Sequence, residues 1–273
     1  MSDAIHPSAI VDPRAQIDSD VRIGAFSVIG PDVTLGRGVE VGHHVVLEGR
    51  VTLGPRVKIG HGSVVGGVPQ DLKYKEGTPS GVRVGAGTVL REYVTVHRST
   101  RAEGWTEIGG DCLVMGLSHV AHDCRLGDDV IVINYAGITG HCEIGDRATI
   151  GGYAGIVPFT RVGALAYIGG CAKVNQDVPP FMLVDGNLAT VRGVNVVGLR
   201  RAGVGLAERR ALRDAHRLLY RTGLTPPAAV ERMRRELELT PQVKELVAFV
   251  EASKRGILGP PPPEVADDTE AVE

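Results

Sequence analysis

The chain has 273 residues, of which 43% are hydrophobic, so it is long enough for a sizeable core and more than one structural unit. Its 30 basic and 32 acidic residues give a net charge of −2, which argues against bulk nucleic-acid binding. There is no apolar run of about eighteen residues and no basic, apolar leader. The sequence therefore predicts no membrane span, no signal peptide and a cytoplasmic location.

A six-residue period dominates the first two-thirds of the chain. Ile, Val or Leu recurs at every sixth position from Ile5 to Val65, from Val84 to Val96 and from Ile108 to Val174. A second, usually small residue follows each aliphatic residue by four positions, and glycine often follows it by one. This period fits neither an α-helix nor one long strand, so it indicates short strands joined by corners in a stacked repeat. We interpret the glycines as serving the sharp backbone at the corners.

Three hexads make one triangular coil, and coils stack at the strand spacing of about 4.8 Å. The pattern resembles the hexapeptide-repeat family, whose fold is a left-handed parallel β-helix. The handedness comes from that resemblance, because parallel crossovers are otherwise right-handed. The predicted fold is thus mostly β, with the β-helix over residues 1–190 and a C-terminal α-helical domain over 191–258. An accidental period in a glycine-rich β-sandwich is the alternative.

Two segments interrupt the hexad count and are predicted to be loops expelled at corners, over residues 69–83 and 98–107. Such loops often carry function. Beyond the β-helix, Ala211, Ala215 and Leu218 share one face of a predicted helix, and Thr225 and Thr240 each precede a proline as expected for helix N-caps. Residues 259–273, proline-rich and then acidic, are predicted to be a disordered tail.

Arginine is concentrated after the β-helix. Such a cluster can be simply a solvated helix face, or it can be a docking surface for an acidic partner or for phosphates. The eight residues are Arg192, Arg200, Arg201, Arg209, Arg210, Arg213, Arg217 and Arg221.

The densest polar stretch runs from Ser118 to Cys124. The hexad register places His122 on an outward corner, and His141 about one coil further along near the same corner. A neutral histidine can take a proton from a hydroxyl while a carboxylate, here Asp123, holds its tautomer. A zinc site of His97, His119 and His122, as in β-helical carbonic anhydrases, is an alternative with a different spacing. A non-catalytic scaffold is another. Three cysteines fall at small inward positions and are predicted to be buried, reduced thiols: Cys112, Cys124 and Cys142.

A more specific resemblance rests on several motifs. They resemble the acyl-[acyl-carrier-protein]–UDP-N-acetylglucosamine O-acyltransferase family of lipid A biosynthesis, which implies a homotrimer with sites between subunits. In that family a 3-hydroxyacyl chain passes from acyl carrier protein to the glucosamine 3-hydroxyl in the first step of the pathway. No metal or resident cofactor is implied, because the acyl group arrives on the carrier's phosphopantetheine. The motifs are 70–74 (QDLKY), 94–98 (VTVHR), 119–124 (HVAHDC), 169–171 (GGC), 176–180 (QDVPP), 186–187 (GN) and 193–195 (GVN).

The resemblance also implies roles for individual residues. His122 would be the general base, Asp123 its supporting carboxylate, and the Gly140 N–H the donor that stabilises the oxyanion. The sugar nucleotide would be positioned by Gln70, Asp71, Lys73, His119 and His141, with Asn195 and Arg201 near its nucleotide end. The arginine-rich helices would face the acyl carrier protein.

Gly170 matches the position that sets acyl length in the family. It lies about 2.7 coils beyond His122, or roughly 13 Å at the strand spacing, which predicts a chain of about C10 to C14. The sequence departs from the family at three places: Val157-Pro158 replaces a His-Gln pair, Val197 replaces an acid and Ala202 replaces a base. A 3-amino sugar nucleotide, giving an amide product, therefore remains an alternative acceptor.

Overall fold

The computed structural model describes residues 4–262. The chain runs through three β-sheets in turn, so that every third strand pairs in parallel. Sheet 1 has nine strands, sheet 2 has eight and sheet 3 has ten. Together they form the three sides of a left-handed parallel β-helix, which confirms the predicted fold class.

Most strands are two residues long, because each corner follows directly. Sheet 1 is β1, β4 and every third strand to β25; sheet 2 is β2, β5 and so on to β23; sheet 3 is β3, β6 and so on to β24, then β26 and β27. In chain order the strands are β1 (Ile10–Val11), β2 (Gln16–Ile17), β3 (Arg22–Ile23), β4 (Val28–Ile29), β5 (Val33–Leu35), β6 (Glu40–Val41), β7 (Val46–Leu47), β8 (Arg50–Leu53), β9 (Lys58–Ile59), β10 (Val64–Gly67), β11 (Gly81–Val84), β12 (Val89–Leu90), β13 (Thr95–His97), β14 (Trp105–Ile108), β15 (Leu113–Val114), β16 (His119–Val120), β17 (Arg125–Leu126), β18 (Ile131–Val132), β19 (Gly137–Ile138), β20 (Glu143–Ile144), β21 (Thr149–Ile150), β22 (Gly155–Ile156), β23 (Arg161–Val162), β24 (Tyr167–Ile168), β25 (Lys173–Val174), β26 (Met182–Asp185) and β27 (Thr190–Val194).

The register of the ladders keeps equivalent hexad positions in line. Val120 pairs with Val96 in one neighbouring coil and with Ile138 in the other, and all three side chains are buried. The small positions are buried as well, including Cys112, Cys124 and Cys142. The core is therefore a set of stacked columns, as the period predicts, and the three cysteines are free thiols inside it.

The interpretation of the corner glycines is wrong in its physical cause. Positive φ angles occur three positions after the aliphatic residue, where side chains such as those of Phe26, Asp123 and Tyr153 are common. The glycine one position after the aliphatic residue instead lies against the next coil. A Cβ at Gly24 would lie 2.5 Å from the Gly42 carbonyl oxygen. These glycines are needed because the backbones approach closely, not because the corner needs a left-handed residue.

Both predicted loops are shorter than the hexad count suggested. The first spans 68–80, since β11 begins at Gly81, and the second spans 98–104, since β14 begins at Trp105. The count missed these ends because β11 and β14 extend by pairing with each other over four residues.

The C-terminal part begins with a hairpin rather than with helices. β26 continues sheet 3, and β27 pairs with it antiparallel to residue 194, so the predicted boundary at 190 falls at the start of a strand. The helices are α1 (Val196–Arg201), α2 (Leu206–Tyr220), α3 (Pro226–Glu236) and α4 (Pro241–Ala252). The short α1 was not predicted, because six residues are too few to show a helical pattern of apolar positions.

Helices α2, α3 and α4 pack against one another, and α2 also contacts β27. The Thr240 hydroxyl caps α4 by accepting from Val243 N, whereas Thr225 makes no such side-chain bond at α3. The Gly259 carbonyl accepts a hydrogen bond from Val191 N, so the first residue of the predicted tail is attached to β27. The acidic part of the predicted tail, from residue 263, lies outside the described residues. Among residues 4–262, no helix is both long and apolar enough to cross a membrane.

Candidate active site

The histidines predicted from the sequence gather where sheet 1 turns into sheet 2, a region we call the histidine corner. Its members are His97 at the end of β13, His119 in β16, His122 and Asp123 in the turn after β16, and Gly140 and His141 in the turn after β19. The stacking of coils alone brings these residues together, because each lies about one coil from the next.

His122 and Asp123 form a hydrogen-bonded pair. His122 Nδ1 lies 2.9 Å from Asp123 Oδ2, a contact that sequence alone could not establish for adjacent residues. Because an ionised carboxylate can only accept, Nδ1 carries a proton, so Nε2 is the ring nitrogen that has a lone pair whenever the imidazole is neutral. The His122 ring is outside the core as predicted, but only 8% of the residue is exposed.

Asp123 is held in its ionised form. Burial alone would raise the pKa of its carboxyl group, but hydrogen bonds from His122, Ser99 and Thr100 outweigh burial and hold that pKa well below its ordinary value. The Arg101 guanidinium lies 3.9 Å from the same carboxylate. The imidazole of His122 therefore lies against a carboxylate that stays ionised.

His141 lies directly beside this pair. Its ring is perpendicular to that of His122 at 5.1 Å between centroids, and its Nε2 is 3.7 Å from Asp123 Oδ2. Phe159, one coil further, stacks on its other face. Burial lowers the pKa of His141, and the Asp123 charge only partly offsets that effect. His141 is thus a second neutral imidazole at the mouth of the site.

His119 and His97 continue the column in the opposite direction. Thr95 Oγ1 and His119 Nδ1 are 2.7 Å apart, and the rings of His119 and His97 meet edge to face at 4.6 Å. Burial lowers the pKa of His119, and burial lowers the pKa of His97 to about 4. The Nδ1 atom of His97 is buried and has no hydrogen-bond partner among residues 4–262.

Gly140 places its backbone against the His122 ring. A Cβ at this position would lie 2.5 Å from His122 Cε1 and 2.8 Å from Nε2. Some equivalent N–H groups at other corners are capped by the next coil, as Gly110 N is by Asp128 Oδ1, whereas others, such as those of Gly116 and Gly152, have no acceptor within residues 4–262. At Gly140 the next coil offers Pro158 instead, and the Gly140 N–H has no acceptor within the described part of the chain. Gly140 therefore packs its backbone against the His122 ring and has an unpaired backbone donor.

The first loop contributes Asp71 to the same region. The Asp71 charge acts to raise the pKa of His141, less strongly than the Asp123 charge does. The Asp71 carboxylate also accepts from Lys73 N at 2.8 Å, and both Gln70 and Lys73 are exposed. Arg98 Nε donates to the Tyr74 hydroxyl at 3.2 Å and fixes the loop to the β-helix.

Asn195 and Arg201 lie elsewhere in the single chain. They line a cavity of about 780 Å³ between the outer face of sheet 3 and α1, and no residue of the histidine corner lines it. The Asn195 side chain caps α1 at Gly198 N and donates to the Leu165 carbonyl. Two of the departures from the family pattern, Val197 and Ala202, line the same cavity.

Gly170 also lies away from His122. Gly170 falls in the turn after β24, at the corner where the chain leaves sheet 3, whereas His122 lies at the corner where the chain leaves sheet 1. The predicted distance of about 13 Å counted only the height along the β-helix axis. Within a single chain, His122 and Gly170 lie at different corners, because the 48 residues between them are not a whole number of coils. Space around Gly170 is open: a Cβ there would meet only the Gly152 carbonyl, at 3.4 Å.

The residues that surround Asp123 were not predicted as site residues. Ser99, Thr100 and Arg101 all belong to the second loop, where the hexad pattern is interrupted and indicates no role for them. The presence of two hydroxyl residues and an arginine in that interruption was the available signal.

One group of side chains among residues 4–262 has the spacing of a metal site, with ligand atoms within 4.8 Å of one another: His122, Asp123 and His141. It is not the trio His97, His119 and His122 of the carbonic-anhydrase alternative. The Asp123 oxygens already accept from Ser99, Thr100 and His122. An ion would have to displace these bonds, so the arrangement fits a hydrogen-bonded base better than a ligand set.

The arginine cluster is largely a feature of α2. Arg210, Arg213, Arg217 and Arg221 are all exposed and follow one another at helical spacing. Only Arg217 of these four forms an ion pair within the described residues, with Asp214 at 3.3 Å. The stripe is therefore available to an acidic partner.

A hexapeptide-repeat β-helix with a histidine–carboxylate pair and a free backbone donor defines a hexapeptide acyltransferase. The family model for bacterial transferase hexapeptides matches residues 14–49 and 32–67, and the model for UDP-N-acetylglucosamine O-acyltransferase domain 2 matches 177–258. A relative from Aquifex aeolicus, named acyl-[acyl-carrier-protein]–UDP-N-acetylglucosamine O-acyltransferase, is 56% identical over 93% of this chain and 97% of its own length. The chain belongs to this family of acyltransferases.

Other comparisons agree. A relative with the same name from Thermodesulfovibrio yellowstonii is 43% identical over 93% of this chain and 98% of its own length. The solved structure of LpxA from Acinetobacter baumannii has a TM-score of 0.90 and 38% identity, and the match covers 94% of this chain and all of that one. The UDP-N-acetylglucosamine acyltransferase of Francisella novicida matches with a TM-score of 0.90 at 33% identity over 98% of this chain and 99% of that one.

Proposed function

We propose that this enzyme transfers a 3-hydroxyacyl chain from acyl carrier protein to the 3-hydroxyl of UDP-N-acetylglucosamine, with His122 as general base. The substrates come from the names of its relatives. The hydrogen bond between His122 Nδ1 and Asp123 is the observation that carries the mechanism, because it leaves Nε2 free to accept a proton.

The reaction needs no covalent enzyme intermediate. Nε2 of His122 takes the proton of the sugar hydroxyl as its oxygen attacks the thioester carbonyl. The Gly140 N–H stabilises the oxyanion that forms on the carbonyl oxygen. Collapse breaks the carbon–sulfur bond, and the leaving phosphopantetheine thiolate takes the proton from the His122 imidazolium. The Asp123 carboxylate stabilises that imidazolium while it exists.

Room for the sugar lies on the outer face of sheet 1. Gly137 pairs beside His119, and Gly155 pairs beside Gly137, and neither would meet an atom within 4 Å if it carried a Cβ. A sugar in this open space would lie near His119 and His141, with Asp71, Lys73 and Gln70 approaching from the first loop.

The nucleotide end requires a second subunit. Asn195 and Arg201 line the cavity on sheet 3, which is a different side of the prism from the histidine corner. In a closed three-fold assembly, the same face of each subunit meets the same edge of its neighbour. A homotrimer therefore combines the histidine corner of one subunit with the cavity of the next, and Gly170 approaches from the neighbour in the same way.

The acyl chain would occupy the contact between subunits and end near the open space at Gly170. Its proposed length of about C10 to C14 rests on the height between His122 and Gly170 along the β-helix, not on a direct path within one chain. The exposed arginine stripe of α2 would hold the acidic carrier protein. The product is the first acylated precursor of lipid A. Val197 and Ala202 bring no charge to the cavity, so the basic groups available there to the sugar nucleotide would be Arg201 and Arg147.

The test is a matrix of hydroxyacyl carrier proteins of different chain length against UDP-N-acetylglucosamine and its 3-amino analogue, with products identified by mass spectrometry. An ester product with a preferred length near the predicted range supports the proposal. An amide product formed in strong preference would instead assign the amino acceptor.

His122→Ala should lower kcat by about 10²- to 10⁴-fold, the usual contribution of a general base. His44→Ala is the matched control, because His44 stacks on Phe26 at another corner. A wild-type rate for His122→Ala in a protein that elutes as the parent does would show that the base is assigned wrongly.

A further inference from the structure

The Asp123 carboxylate is held from behind by a short segment that we call the strap, residues 98–104. Thr100 Oγ1 donates to Asp123 Oδ2 at 2.7 Å and Thr100 N donates to the same oxygen at 3.2 Å, while the Ser99 hydroxyl donates to Oδ1. The carboxylate is therefore bound on both oxygens before His122 is counted.

The strap is itself fixed in place. Ser99 is fully buried, and its carbonyl accepts from the Ser80 hydroxyl at the end of the first loop. Glu103 N donates to the Pro79 carbonyl at 2.7 Å, and Gly81 N donates to the Gly104 carbonyl at 3.0 Å. The two interruptions of the hexad count thus support each other, and together they hold the two hydroxyls against Asp123.

The donor directions are also determined. Ser99 Oγ accepts from Arg101 N at 3.0 Å, which leaves the Ser99 hydroxyl proton for Asp123 Oδ1. Thr106 Oγ1 accepts from Asp123 N at 2.8 Å and fixes the backbone of the turn. The Ser99 and Thr100 hydroxyls therefore act as donors to Asp123, and the Thr106 hydroxyl acts as an acceptor from its backbone.

We propose that Ser99 and Thr100 are positioning residues that act through Asp123. By holding the carboxylate in one orientation, they keep its Oδ2 on His122 Nδ1 and so keep the proton of neutral His122 on that nitrogen. This inference rests on the proposed function, in which the unprotonated Nε2 of His122 is the base.

The need for such a hold follows from the competing partners of Asp123. His141 Nε2 is 3.7 Å from Oδ2, and the Arg101 guanidinium is 3.9 Å from Oδ1. The charge of Arg101 attracts the carboxylate, and His141 offers a second imidazole. Without the two hydroxyls, a small rotation would bring Asp123 to either group and away from His122. The tautomer of His122 would then no longer be fixed.

The first test is a kinetic cycle with Ser99→Ala/Thr100→Val, Asp123→Ala and all three changes combined. The Ser99–Thr100 variant should lower kcat by about 10- to 100-fold, as loss of a supporting shell commonly does, with the KM for the sugar nucleotide unchanged. Thr100→Ser, which keeps the hydroxyl, should retain most of the rate. If the hydroxyls act only through Asp123, they should add almost no further loss once Asp123 is alanine.

Multiplicative losses in the triple variant, or a loss expressed mainly in KM, would overturn the proposal, since either would mean a direct contact with substrate. Ser80→Ala is the matched control for a merely looser strap: it removes the tie to the first loop but leaves every Asp123 bond in place. An equal loss in Ser80→Ala would assign the effect to the fold of the strap.

A second measurement is independent of turnover. The ¹⁵N chemical shifts of the His122 ring in histidine-labelled protein report which nitrogen carries the proton. The wild-type protein should show one tautomer with the proton on Nδ1, and Ser99→Ala/Thr100→Val should show a mixture. An unchanged single tautomer in the variant would contradict the inference even if activity fell. If the proposed substrates were wrong, this readout would still decide whether the strap positions His122.

Discussion

At the scale of single residues, four imidazoles occupy one corner but have different surroundings. His122 has a carboxylate on one nitrogen and a free lone pair on the other, whereas His97 is buried beside other histidines and has an unpartnered nitrogen. Burial keeps His97 neutral, with a pKa of about 4. His97 therefore costs the protein stability in acid, whereas His122 is the proposed general base.

His97 gives a prediction for the pH dependence of stability. An unfolded histidine has a pKa of about 6.5 and His97 one of about 4 in the folded protein. Below pH 6.5 the unfolded chain binds a proton that the folded chain does not, so stability falls between about pH 6.5 and 4, by about 3 kcal/mol in total. His97→Gln should remove this part of the slope of unfolding free energy against pH. Parallel curves for the two proteins would contradict the prediction.

Gly140 gives a second prediction at this scale. In Gly140→Ala the new methyl group would collide with the His122 ring, which Asp123 holds from the other side. We expect kcat to fall about 100-fold because the displaced ring no longer places Nε2 at the reacting hydroxyl, with little change in thermal stability because the ring can swing outward. The alanine keeps the backbone N–H, so a variant with normal kcat would show that the position of the His122 ring does not limit the rate.

The sequence predicted these residues unevenly. The hexad register located His122 and His141 on one corner, because a fixed period converts position along the chain into position in space. It could not show that Asp123 turns toward its neighbour, since that depends on the positive φ angle of 60° at Asp123 and on donors from the strap. Ser99 and Thr100 escaped notice because they lie where the period fails.

At the scale of the coil, the spacing between layers is set by backbone contact. A Cβ at Gly60 would lie 2.4 Å from the carbonyl carbon of Arg91, whereas a Cβ at Gly155 would meet nothing within 4 Å. Glycine is thus required at position 60 and optional at position 155, although both residues belong to the same β-helix.

This contrast predicts opposite effects for the same substitution. Gly60→Ala forces two coils apart and should destabilise the protein by about 1–3 kcal/mol, the usual cost of overpacking. Gly155→Ala should be neutral or stabilise by up to about 1 kcal/mol through the unfolded chain. The measurement is the free energy of unfolding of both variants and of the parent protein, obtained by chemical denaturation. Similar effects in both would mean that the coils separate more easily than backbone contact implies.

The elements themselves were largely predictable. The period gave the strands and the column of core residues, and the threonine–proline pairs gave the starts of α3 and α4. The ends of the loops and the hairpin of β26 and β27 were not predictable, because both depend on which strand pairs with which. Long-range pairing leaves no local pattern in residues such as Gly81 or Thr190.

At the scale of the whole molecule, the chain carries two separate groups of candidate site residues, which the proposed trimer would combine. The histidine corner and the cavity with Asn195 and Arg201 lie on different sides of the prism. The departures at Val197 and Ala202 leave Arg201 and Arg147 as the basic residues that line this cavity.

A shared site predicts complementation between variants. His122→Ala alone and Arg201→Glu alone should both be nearly inactive at low sugar nucleotide. When the two proteins are unfolded together in equal amounts and reassembled, about a quarter of the sites in random trimers should combine an intact His122 with an intact Arg201 from a neighbour. Recovery of activity on mixing is the measurement. No recovery, with trimers confirmed by mass, would show that each site is built within one chain.

The stacking of identical layers also gives the molecule a unit of length. Inserting or deleting one complete coil moves everything beyond it by about 4.8 Å, roughly four carbons of an extended chain, while each inward side chain keeps its orientation. A change of side chain at Gly170 alters the same distance by less than one layer. Selection on acyl length in such a scaffold therefore has a coarse adjustment by whole coils and a fine one by single substitutions, and neither disturbs the coils that hold His122.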